Sequence, residues 1–191
     1  MVSRRKATRH NRVLAMEIVV PEEYKALYVR DGQRPIYKIP DPVLRKISAE
    51  VTGVTKKTGF LIDELMRVMK KANGVGLAAP QMGVLQRIIV IAPPDVRPQA
   101  LINPKILKKE GEDVGIEGCL SIPGLYGDVK RAEYVEVEAF DRKGREYVFE
   151  LEGLPARVVQ HEIDHLDGVL FIDRVDLSTL HWKDPDAGDA E

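Results

Sequence analysis

Residues 153–168 read Gly-Leu-Pro-Ala-Arg-Val-Val-Gln-His-Glu-Ile-Asp-His-Leu-Asp-Gly, and this stretch constrains the fold more than any other. Pro155 suits a first helical turn, and Gly168 supplies a stop. A helix is expected from Ala156 to about Leu166, with Val159, Ile163 and Leu166 on one apolar face. Few of its residues look solvated, so the helix is expected to be largely internal. On such a helix His161 and His165 are one turn apart and point to one side. Two imidazoles at that spacing can hold one divalent ion, with Glu162 beside them as a general base toward its water. Burying one Glu and two His without a shared ligand would be costly. The rest of the chain must therefore wrap around a helix that carries a metal.

The chain has 191 residues, 44% of them hydrophobic, enough for one cored domain without disulfides. Cys119 is the single cysteine, which excludes an intrachain bridge. A net charge of -1 does not suggest a basic nucleic-acid binder. No apolar run approaches the ~20 residues of a membrane span. Thr58 is expected to cap a helix whose stripe is Leu61, Leu65, Val68 and Ala72, stopped by Asn73-Gly74. Residues 87–92 are a β-branched run, and residues 100–106 form a second strand in which Pro104 predicts an edge or a bend. Residues 132–140 alternate, with Val135, Val137 and Ala139 inward; a turn at 141–144 and a second alternation at 146–152 make a hairpin. The tail from Lys183 is acidic and expected to be disordered.

A catalytic metal needs a third protein ligand and an open position. One protease class places a third His six residues after the second, but Phe171 stands there. Another takes a Glu from a later helix, and only a short polar tail follows Asp173. Cys119, in the glycine-bracketed run Gly115-Ile116-Glu117-Gly118-Cys119-Leu120-Ser121, is the better candidate. A further glycine-rich segment, Gly74-Val75-Gly76-Leu77-Ala78-Ala79-Pro80-Gln81, ends an apolar run on a polar amide. On the residues alone, a zinc endopeptidase or aminopeptidase and a catalytically silent metal-binding or ribosome-associated protein both stay open.

Together these segments resemble the peptide deformylase family, which is marked by Gly-x-Gly-x-Ala-Ala-x-Gln, Glu-Gly-Cys-x-Ser and Gln-His-Glu-x-x-Asp-His. The matches lie at Gly74 to Gln81, at Glu117 to Ser121 and at Gln160 to His165, in the family's order. The resemblance implies an α+β fold of small, largely antiparallel β-sheets packed around a central metal-binding helix. It implies an N-terminal extension over 1–35, partly disordered, a catalytic domain over 36–174, and a short acidic tail over 175–191.

It further implies hydrolysis of the N-formyl group from the formyl-methionine of new polypeptides, releasing formate. By the resemblance, Cys119, His161 and His165 bind the metal. Fe(II) is the implied cofactor, one per chain, with Zn(II), Ni(II) or Co(II) able to substitute. Glu162 is the implied proton shuttle, and the Gln81 side chain and Leu120 N–H the oxyanion donors. Val75, Leu120 and Val158 match the methionine pocket, and the backbone of Val75, Gly76 and Gly118 matches the strand that pairs with substrate. Asp164 is placed against Arg131, read as part of the hairpin's first strand. N-formylmethionyl nascent peptides are the expected partners, with the ribosome as the place of encounter and neither membrane nor sequence-specific nucleic acid involved. Many bacterial members continue into a long basic helix used at the ribosome; here an acidic tail follows Trp182. The expected location is the bacterial cytoplasm, or an organelle if the basic segment 1–16 acts as a transit segment.

Overall fold

The structure is a computed structural model and describes residues 18–185. The basic segment 1–16 and the last residues of the acidic tail lie outside the described residues. Two helices flank a five-stranded antiparallel sheet. Helix α1 spans Lys56–Lys71 and α2 spans Gly153–Leu166. The sheet runs in the order β1 (Gly76–Ala78), β2 (Ile88–Ile91), β3 (Gln99–Glu110), β6 (Tyr134–Phe140) and β7 (Glu146–Glu152). A second antiparallel sheet has the order β4 (Asp113–Cys119), β5 (Ile122–Arg131) and β8 (His181–Trp182).

The four β2 residues explain how the large sheet is covered. Ile88 and Val90 pack with Ile62, Leu65, Val68 and Met69 of α1. Ile89 and Ile91 point the other way and pack with Val159, Ile163 and Leu166 of α2. A strand covered on both faces reads as a continuous apolar run, as Ile-Ile-Val-Ile does. The expected alternation in β6 holds, with Val135, Val137 and Ala139 fully buried. Ten of the 14 residues of α2 are buried, polar ones included.

Two expectations are corrected, and one open alternative is decided. The cap of α1 is Thr55, and Thr58 is the third helical residue of a reciprocal capping box. Pro104 sits inside β3, the middle strand, so it does not mark an edge. It marks a bend: the β3–β6 register shifts between Ile102 and Lys105, and Asn103 takes a φ of 51°. Lastly, residues 183–185 are placed, with the Lys183 N–H donating to Gly124 O. On the N-terminal side, a 3-10 turn at Glu22–Tyr28 lies against β5, and the Tyr24 ring stacks on Trp182 at 5.0 Å. Gly124 permits this, since a Cβ there would meet Tyr24 at 2.8 Å and φ is +85°.

Candidate metal centre

Strand β4 ends at Cys119, and the chain reverses through Leu120 and Ser121 so that Cys119 pairs with Ile122. The reversal aims the Ser121 N–H at Cys119 Sγ, 3.4 Å away. Helix α2 brings both imidazoles to the same point. Ligand atoms of Cys119, His161 and His165 lie within 4.8 Å of one another in a largely buried site. Sγ is 3.3 Å from His165 Nε2. One soft thiolate donor and two imidazoles, converging away from bulk water, suit a divalent transition metal.

Electrostatics prepare these donors. Burial pushes the Cys119 thiol up, but the facing His165 and His161 outweigh it and hold the sulfur well below the ordinary thiol range. Glu117 Oε2 lies 2.9 Å from His161 Nδ1, which leaves Nε2 to face the ligand site. Glu117 is itself gripped by Arg131 at 2.7 and 2.9 Å and by Arg157 at 2.8 Å. Burial would raise its carboxyl, yet the hydrogen bonds from Arg131 and His161 bring it down to about 2. Arg131 reaches on to Asp164 at 2.6 Å, and Arg174 clasps the same carboxylate at 2.6 and 2.7 Å.

Glu162 is the unsettled group. It is 5% exposed, its Oε2 has no hydrogen-bond partner, and burial pushes its carboxyl up to about 7. A Cβ on Gly76 would stand 2.8 Å from Glu162 Cγ and closer still to Oε1, so glycine is required there. Gln81 sits in the 3-10 turn after β1. Its Oε1 accepts from the Ala78 N–H at 2.9 Å, which orients Nε2 toward Ser121 Oγ at 3.1 Å and Cys119 Sγ at 3.7 Å. A cleft of 310 Å³ opens beside these groups, lined by Val75, Gly76, Gly118, Leu120 and Val158. Gln81, Cys119, His161 and Glu162 line the same cleft, and His165 meets it through Cys119, whereas Asp164 and Arg131 face a separate one.

The Asp164–Arg131 contact implied by resemblance is present, but Arg131 closes β5 rather than lying on the hairpin. Sequence reasoning gave no role to Glu117, Arg157, Arg174 or Lys38. Arg157 had a readable signal, a charge among the apolar residues Leu154 to Val159 of the first turns of α2; its guanidinium also donates to Val129 O and Asp113 O. Lys38 had none: its Nζ donates to Leu120 O from a loop 82 residues away.

A family model described as polypeptide deformylase matches residues 33–180. The chain belongs to this family. Peptide deformylase 1 of Bacillus subtilis is 50% identical over 137 residues, which cover 71% of this chain and 86% of that protein. Among solved structures, the peptide deformylase of Thermus thermophilus aligns with a TM-score of 0.72 at 48% identity, covering 74% of this chain and 85% of that one. A Met-Ala-Ser-bound class I type b peptide deformylase from Acinetobacter baumannii aligns with a TM-score of 0.72 at 36% identity, covering 74% and 97%. Deformylase family membership accounts for the α+β fold with antiparallel sheets, and it places the three ligand-bearing residues in a fold shared with these enzymes.

Proposed function

We propose that this chain is a metal-dependent peptide deformylase that hydrolyses N-formylmethionyl nascent peptides to formate and a free amino terminus. The observation that carries the reading is the convergence of Cys119, His161 and His165 beside a buried, unpartnered Glu162. Fe(II) is the proposed ion, held by those three residues. When bound, a divalent ion lowers the pKa of a water and polarises the formyl oxygen.

The chain's own groups do the rest. Glu162 takes the proton of the attacking water and delivers it to the leaving amine. Two opposed effects suit it to both halves: burial raises its carboxyl, which favours holding a proton, and a bound cation would favour the charged form that accepts one. The Gln81 side-chain amide and the Leu120 N–H donate to the oxyanion, and losing one such donor costs about 2.7–4 kcal/mol in barrier. Gln81 is already oriented by Ala78, so little reorganisation is needed. Methionine enters the apolar pocket of Val75, Leu120 and Val158. Both β1 and β4 are edge strands, so an extended peptide can pair with the backbone of Val75, Gly76 and Gly118. Glycine walls at 74, 76 and 118 leave room for formyl, the smallest acyl group.

Residues 36–174 form the proposed catalytic domain, with 1–35 as an extension and 175–191 as a tail. No helix among the described residues is long and apolar enough to cross a membrane. A cytoplasmic encounter with nascent chains at the ribosome is the proposed setting. The test is formate release from formyl-Met-Ala-Ser by Fe(II)-loaded protein prepared anaerobically. No formate release by metal-loaded, folded protein would sink the assignment; cleavage of acetyl-Met-Ala-Ser at a similar rate would sink the size argument.

A further inference from the structure

A second groove, of 330 Å³, opens off the catalytic cleft; Leu120, Pro123 and Pro185 line both. Its character differs from the cleft. Arg34, Lys38, Arg67 and Lys71 line it, and no Asp or Glu does. The cations are anchored on two elements. Arg34 donates to Ala26 O at 2.8 Å, and Lys71, at the end of α1, donates to Gln33 Oε1 at 2.7 Å. Arg67 is paired with Glu64 on the exposed face of α1. Asp31, bonded to the Gln33 and Arg34 N–H groups, also interacts with the Arg34 and Lys71 charges. Four cations against Glu64, Asp31 and Asp184, the last beside the lining residue Pro185, still leave an excess of positive charge.

One wall of the groove is built by Leu27, which precedes the first residue matched by the family model. The extension that supplies this wall is pinned by Tyr24 on Trp182 and accommodated by Gly124. The groove thus depends on a segment beyond the family match, and it continues from the wall of the methionine pocket.

We propose that this groove receives the part of the nascent peptide downstream of methionine and selects acidic residues there. The inference rests on the deformylase reading and gives its substrate class. A peptide paired with the cleft's edge strands and passing Leu120 enters the groove, where its carboxylates meet Arg34 and Lys71. Charge complementarity acts on binding, not on the reacting formyl group, so it changes KM and leaves kcat alone.

The experiment compares formyl-Met-Ala-Ser-Glu-Glu-Ser with formyl-Met-Ala-Ser-Gln-Gln-Ser, which differ only in charge. The full-length, metal-loaded enzyme is expected to show a KM at least threefold lower for the Glu peptide at low salt. That ratio should shrink in ~0.5 M salt, where screening shortens the reach of exposed charges. It should fall to about one in the Arg34→Gln/Lys71→Gln double variant, while Lys105→Gln, on β3, keeps it. Equal KM values for the two peptides in the native enzyme would overturn the proposal, as would a ratio untouched by the double variant. Failure to release formate from either peptide would instead sink the deformylase reading itself.

Discussion

Glu117 Oε2 stands 2.9 Å from His161 Nδ1, and the same carboxylate binds two buried arginines. This fixes the imidazole's orientation and the nitrogen it turns to the ligand site. Glu117→Gln keeps the shape and removes the charge. Metal affinity is expected to fall roughly 10–100-fold, the usual effect of losing such an orienting partner. Competition with a chromophoric chelator measures it. Unchanged affinity would reduce Glu117 to a structural partner of Arg131 and Arg157.

Gly76→Ala drives a methyl into the Glu162 side chain, 2.8 Å from its Cγ, so the carboxylate must move. Displacing a general acid–base group typically costs about 10²–10⁴ in rate. Turnover is expected to drop by at least a hundredfold, with metal per chain preserved, since no ligand residue is touched. Metal analysis and formate release on the same sample separate the two. A variant that is both metal-loaded and fully active would show that Glu162 tolerates another position.

Asp164 carries a pH signature in stability. Burial would raise its carboxyl, but Arg174 and Arg131 hold it below its ordinary value of 3.8. A depressed carboxyl contributes stability above the unfolded value and loses it as pH falls through the folded one. Asp164→Asn should therefore destabilise by about 3 kcal/mol at pH 7, the lower end of the cost of breaking a buried pair. The deficit relative to the native chain should shrink as pH falls below 3.8. Urea titrations of metal-free protein at pH 7 and pH 3 test this. A deficit that is the same at both would remove the ion pairs as its cause.

Much of the site was legible because its chemistry is local. His161 and His165 share a helix face by spacing alone, and Cys119 and Gln81 stand in glycine-rich runs that only a close approach explains. The partnership of Glu117 with His161 spans 44 residues and follows from sheet packing, which periodicity does not encode. Strands β4 and β5 were hidden by Gly115, Gly118, Gly124 and Gly127, which break strand propensity. Those glycines answer neighbours instead: a Cβ on Gly118 would meet Tyr126 at 2.5 Å, and one on Gly127 would meet Val175 at 2.5 Å. Pro104 left two alternatives open for a related reason, since a bend inside a middle strand and an edge carry the same sequence mark, and the structure shows the bend. The groove beside Arg34 and Lys71 required Leu27 and the end of α1 to line one cavity, which no motif announces.

Glu162 separates chemistry from binding most directly. It contributes no ligand atom to the Cys119, His161 and His165 set. Glu162→Gln should bind metal as the native chain does and should hold a formyl-peptide with similar affinity. Its turnover should fall about 10²–10⁴-fold, because an amide can neither accept the water's proton nor return it to the amine. A second readout is independent of turnover. In the metal-free protein burial raises this carboxyl to about 7, so part of it is protonated at neutral pH. A divalent cation arriving beside it favours the charged form and expels that proton. Calorimetric metal titrations at pH 7, in buffers of different ionisation enthalpy, count the protons released. The native chain should release more protons than Glu162→Gln. Equal release with equal turnover would strip Glu162 of its assigned role; equal release with lost turnover would mean that the carboxyl is already ionised before metal arrives.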